Sequence, residues 1–197
     1  MRTYAFFMSI TLLLGTQVAS AGTIIYTGFL SGPNEVPPNA SPGIGFALVT
    51  IDTVLNTMEV NVSFSGLVAG TTASHIHCCT AVPGTGTAGV ATTTPTFAGF
   101  PLGVTSGTYD MVMDLTLASS YNPAFVTATG SVANAEAVLL AGLAADDAYL
   151  NIHSTSFPGG EIRTFLVATP EPGTFLLGAG SLLALAAWKR RKRALQR

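Results

Sequence analysis

Residues 57–66, Thr-Met-Glu-Val-Asn-Val-Ser-Phe-Ser-Gly, alternate in type without a break: Met58, Val60, Val62 and Phe64 against Glu59, Asn61, Ser63 and Ser65. A period of two puts the first set on one face of an extended strand and the second on the other, whereas a helix would scatter both. Ile44–Asp52 reads as the hairpin partner of this strand, joined through a turn around Thr53–Asn56. Ile24–Leu30, Thr72–His77, Gly107–Leu117, Ala148–His153 and Glu161–Val167 are further predicted strands, punctuated by Gly, Pro, Thr and Ser. Asn134–Ala145, with its Ala, Leu and Glu, suits a short helix, and a turn is expected before it at Asn122-Pro123. Residues 78–106 form a Thr-, Gly- and Pro-rich loop, too long for a simple connection and therefore functional or packed as an excursion of its own. The expected fold is mainly β: an antiparallel β-sandwich with one or two short helical insertions, followed by a C-terminal transmembrane helix.

The charges sharpen this. The whole chain of 197 residues carries a formal net charge of −2. Its bases are at the ends: Arg2 at one, Lys189, Arg190, Arg191, Lys192, Arg193 and Arg197 at the other, which leaves Arg163 alone between them. Residues 22–169 hold nine acids against that one base, a net of −8. Such a region has no basic patch with which to neutralise phosphates, so nucleic acid is excluded as a partner. Its low charge fraction and high apolar fraction are those of a chain that buries a core, and its length suits one domain.

Each end reads as an address. Residues 1–21 have a positive start at Arg2, an apolar run from Tyr4 to Leu14 and a small-residue cleavage site at Ala19-Ser20-Ala21, the pattern of a secretory signal peptide. At the other end Thr169-Pro170-Glu171-Pro172-Gly173 interrupts the preceding strand, and residues 174–188 follow without a charge. Fifteen helical residues span about 22 Å, short of the roughly 30 Å hydrocarbon core. Trp188 and the snorkelling stems of the basic run can cover the difference. That basic run stays cytoplasmic, which leaves the preceding domain outside, as the signal peptide also requires.

Chemistry-bearing residues are few. All three histidines fall in two strand-like motifs, Ser74-His75-Ile76-His77 and Tyr149-Leu150-Asn151-Ile152-His153. Residues two apart in a strand share a face, so His75 points with His77 and Asn151 with His153. If the two strands are neighbours, three imidazoles can converge on one copper or zinc ion, favoured by the surplus negative charge; the other reading is a buried polar network. Cys78 and Cys79 are the only cysteines. A vicinal disulfide, free or intermolecular thiols, and soft ligands beside His75 and His77 are three open readings. Arg163, the sole internal base, must pair with a carboxylate, and Glu35 and Glu161 are the expected partners in a structural ion pair. No phosphate loop, no Gly-x-Ser-x-Gly elbow and no nucleophile–base set is readable, so no catalytic residue is assigned and the chain reads as non-enzymatic.

Five ordered motifs resemble a CHRD domain, the module named from chordin. They are Leu30-Ser31-Gly32 with Glu35-Val36-Pro37-Pro38; Phe64-Ser65-Gly66-Leu67; His75-Ile76-His77; Tyr149-Leu150-Asn151-Ile152-His153; and Pro158-Gly159-Gly160-Glu161-Ile162-Arg163. The chain is most similar to the bacterial exported branch, with Cys78-Cys79 after the histidine pair and the Phe97–Gly103 stretch. Thr164 departs from the pattern, which usually has Gly there and so no side chain at a tight strand contact. The triplet Pro170-Glu171-Pro172, the apolar run and the terminal bases resemble a PEP-CTERM sorting signal.

The resemblance implies a β-sandwich, no established enzymatic activity and an exosortase-type enzyme as processing partner. The expected organisation is a signal peptide over 1–21, a CHRD domain over 22–168 and a sorting signal over 169–197, with its transmembrane helix at 174–188. The expected product is an exported, non-enzymatic structural or binding module. It is anchored to the membrane at least transiently and then held in the cell envelope or the exopolysaccharide matrix, against polysaccharide or protein. The alternative is a copper- or zinc-binding domain that uses His75, His77 and His153; otherwise no cofactor is expected.

Overall fold

A computed structural model describes residues 22–169. The expected signal peptide at 1–21, the Pro170-Glu171-Pro172 triplet, the transmembrane helix at 174–188 and the basic tail lie outside the described residues.

The elements in chain order are β1 (Thr23–Ser31), β2 (Ile44–Asp52), β3 (Thr57–Ser65), β4 (Thr71–His77), β5 (Gly107–Asp114), α1 (Pro123–Thr129), α2 (Val132–Ala144), β6 (Tyr149–Ser154), β7 (Ile162–Phe165) and β8 (Val167–Ala168). The alternation read in 57–66 places Met58, Val60, Val62 and Phe64 in the core and leaves Ser63 and Ser65 exposed. Ala47, Val49 and Ile51 of β2 and Tyr26 and Leu30 of β1 face the same interior. In register, Val49 lies between Tyr26 and Val60, so each buried row crosses three strands.

Every ladder is antiparallel, and the strands form one sheet in the order β4-β6-β7-β1-β2-β3-β5, with β8 also on β1. A sandwich has two separately bonded sheets; here β1 joins both halves. Its nine residues pair with β2 on one side, while β7 and β8 share its other side at Ser31 and at Tyr26–Thr27. The sheet curls around a single core. Among the described residues no single helix is long and apolar enough to cross a membrane. α1 and α2 would reach that length only together, and they are bent by 94° at their junction.

The long loop closes the curl. β4 is an edge strand, and a bare edge invites pairing with another chain. Here the Ser74 and Ile76 amides donate to Thr96 Oγ1 and Thr92 Oγ1, both at 2.9 Å, and the Cys78 amide donates to the Gly89 carbonyl at 3.0 Å. In return the Ala91 and Phe97 amides donate to the carbonyls of Ile76 and Ser74. Phe97 and Phe100 then enter the core and pack on Tyr109 of β5, so the loop spans from one edge of the sheet to the other.

Local corrections have local causes. β5 ends at Asp114, three residues before the expected Leu117, because the Asp114 carboxylate accepts the Thr116 amide and hydroxyl and turns the chain. The turn expected at Asn122-Pro123 opens a second helix, α1: Asn122 caps it by accepting the Ala124 amide, Pro123 begins it and left-handed Gly130 ends it. Thr164 is accommodated by Gly28 on β1, where a Cβ would lie 2.4 Å from Thr164 Oγ1.

Candidate metal centre

The pairing of β4 with β6 decides the site. In that register His75 faces Asn151, His77 faces Tyr149, and His153 lies opposite Ala73. β7 continues the rows, with Arg163 beside Asn151 and Phe165 beside Tyr149. One polar row therefore crosses four strands, from Ser31 through Arg163 and Asn151 to His75.

The three imidazoles converge. One ring nitrogen from each of His75, His77 and His153 lies within 4.8 Å of the others, and His75 Nε2 is 3.0 Å from His153 Nε2. His77 Nδ1 is held at 2.8 Å by the Ala88 carbonyl and His153 Nδ1 at 2.9 Å by the Pro158 carbonyl. A carbonyl only accepts, so both Nδ1 atoms carry the proton and both Nε2 atoms present a lone pair inward. His77 Nε2 has no protein partner, and neither does His75 Nδ1, which forms no hydrogen bond of ordinary geometry even with the nearby Pro95 carbonyl. Backbone carbonyls behind two imidazoles are the support that metal-binding histidines ordinarily have.

The rings are neutral near pH 7. Burial pushes His75 down to about 3, helped by the charges of His77 and His153 and opposed by the Pro95 backbone. Burial also pushes His77 down to about 4; its bond to Ala88 opposes this, while His153 and Arg163 add to it. His153 is lowered by burial against its bond to Pro158. A cluster that refuses protons keeps its lone pairs for another Lewis acid.

Tyr149 was missed by the sequence reading. Its ring stacks on His77 with centroids 4.6 Å apart and planes 5° from parallel, and the Arg163 guanidinium lies 4.7 Å from its centroid. The signal was available, since Tyr149 is two residues before Asn151 and shares its face. The carbonyls of Ala88 and Pro158 left no such trace, because any residue type supplies one.

Arg163 is buried and makes its ion pair with Glu35, Nε to Oε2 at 4.0 Å; its Nε also donates to the Asn34 carbonyl and its Nη1 to Gly86 O at 3.0 Å. Burial raises Glu35 to about 7, against the pull of Arg163 and the bonds from Asn151 and Val36. Glu161 corrects the expectation. It precedes β7, after the positive-φ Gly160, and its Oε1 accepts Ser41 Oγ and the Val68 amide, both at 2.6 Å, so it fastens two loops and takes no part in the ion pair.

Cys78 and Cys79 are joined by a disulfide and pack on α2, with Cys79 Sγ 3.6 Å from the Val138 carbonyl. Thiolate ligation beside His75 and His77 is therefore closed in this state. A concavity of about 840 Å³ lies elsewhere, on the outer face of β1, β2, β3 and β5 around Phe29, Ile44 and Phe46. Its lining is largely apolar and holds no titratable group.

Comparison with known families agrees with this layout. A CHRD domain matches residues 26–166, and a PEP-CTERM protein-sorting motif matches residues 168–192. No curated protein and no solved structure matches the chain. The sorting motif makes this an exported, envelope-associated protein processed by an exosortase-type enzyme. With the family match running from β1 to the last core residue of the sheet, the chain belongs to the CHRD domain family.

Proposed function

We propose that the protein is an exported, non-enzymatic binding module of the cell envelope or its matrix, whose CHRD domain holds one transition-metal ion between His75, His77 and His153. One observation carries the metal reading: three neutral ring nitrogens from two paired strands lie within 4.8 Å of one another. A purely structural network would satisfy its members, whereas here His77 Nε2 is buried without a partner. A binding role is favoured over catalysis because no nucleophile joins the cluster and the carboxylate that meets its polar row, Glu35, is committed to Arg163.

The test is metal analysis of the full-length chain, purified in detergent, stripped with a chelator and titrated with copper or zinc. One ion per chain is expected. At a free metal concentration one hundred times Kd, the folded state gains about 2.7 kcal/mol, read as a raised melting temperature. Alanine at His77 should remove both effects. Substoichiometric metal and unchanged melting would overturn the metal reading.

A further inference from the structure

The three-histidine reading leaves the ion unnamed, and the surroundings of the cluster choose among the candidates. Resting on that reading, we propose that the site takes copper as monovalent Cu(I), in preference to Zn(II) or Cu(II).

Charge is the first argument. All three donors are neutral imidazoles, so a bound ion keeps its full charge. His75 and His153 are 7% and 9% exposed, and no fourth histidine, cysteine or carboxylate among the described residues joins the cluster. The two cysteine sulfurs of the chain are tied to each other. Glu35 lies beyond Asn151, whose Nδ2 is 3.5 Å from Glu35 Oε2, and it answers to Arg163. Burial of an ion costs in proportion to the square of its charge, so a divalent ion is penalised about four times as heavily as a monovalent one. Zinc sites built to hold a full divalent charge commonly include thiolate or carboxylate ligands, or keep a bound water. This cluster has no anion to offer.

Arg163 adds a second argument. Its guanidinium lies 4.7 Å from the centre of Tyr149, and Tyr149 stacks at 4.6 Å on His77. A fixed positive charge thus stands one aromatic ring behind a ligand, and its repulsion doubles for a doubly charged ion.

Coordination number is the third. His75 Nε2 and His153 Nε2 are 3.0 Å apart. Flat three-coordination at a metal–nitrogen distance near 2.0 Å needs a nitrogen–nitrogen spacing of about 3.5 Å, so a small opening of the pair suffices. Three donors complete the shell of Cu(I). Zn(II) needs a fourth for its tetrahedron and Cu(II) a fourth for its tetragonal plane.

The test uses full-length chain in detergent under anaerobic conditions. Ascorbate is the reductant, because it maintains Cu(I) and spares the disulfide. Cu(I) affinity is read by competition with bicinchoninate and Zn(II) affinity by competition with a chromogenic zinc chelator. The expected result is one Cu(I) per chain, held on the order of 100-fold more tightly than Zn(II). His77→Gln should abolish it, while the double variant Cys78→Ser, Cys79→Ser should retain it. X-ray absorption of the copper-loaded wild-type chain should show nitrogen neighbours and no sulfur. Zinc bound as tightly as copper, or sulfur in the copper shell, would overturn the proposal while leaving a metal site. Binding of neither metal would overturn the three-histidine reading itself.

Discussion

Gly142 sits on α2 directly over the Cys78–Cys79 disulfide, where a Cβ would lie 2.3 Å from one sulfur and 2.4 Å from the other. Alanine is the better helix former by about 1 kcal/mol. Overpacking against a bonded sulfur pair costs on the order of 1–3 kcal/mol, and the contact wins. Gly142→Ala is therefore expected to lower stability despite its helix propensity; equal or higher urea midpoints would contradict the tight seat of α2 on the disulfide. At this scale the sequence was legible wherever a side chain announces its own role. Two-residue spacing put His75 with His77 and Asn151 with His153, though not the two strands side by side, and Arg163 stood out as the only internal base. The supporting carbonyls were not legible, since Ala88 reaches His77 only through the path of a long loop. Glu161 misled because charge alone cannot say that Ser41 and Val68 will claim a carboxylate first.

Elements were legible in proportion to their periodicity. β2 and β3 emerged within a residue of their bounds, because alternation over nine residues leaves no second register. α1 did not, because seven residues rich in Thr have no clear helical stripe, and its caps resemble turn signals. The threonines of 78–106 were read as composition and turn out to act as strand. Thr92, fully buried, supplies the acceptor that a neighbouring strand would have given Ile76. Thr92→Val keeps the shape and removes that acceptor. A loss of about 1–3 kcal/mol is expected, together with faster hydrogen exchange at the Ile76 amide. Unchanged exchange at that amide would show that the edge is protected by other means.

For the molecule as a whole, acid is the informative perturbation. In metal-free chain the three histidines take up protons near 6.5 when unfolded but resist them when folded, His75 to about 3 and His77 to about 4. Their contribution to stability is thus complete above 6.5 and is lost as pH falls toward the folded values. Glu35 has the opposite sign: folded, it binds its proton from about 7, and unfolded only near 4.5, so its contribution is present at low pH and is lost as pH rises through 7. Between 6.5 and 4.5 three groups oppose one, and the melting temperature should fall as the solution is acidified across that window. A flat or rising profile would mean that the imidazoles are not held neutral.

The two-sided pairing of β1 has a consequence for the protein's life after sorting. The described chain departs at Thr169, whose amide is bonded to the Ile25 carbonyl, while the row that leads to the histidines begins at Ser31. Six strand residues, about 20 Å, separate the two positions along β1. The end of the domain that leads into the sorting motif is therefore remote from the histidine row, and a cut beyond Thr169 would leave every strand around the imidazoles in place.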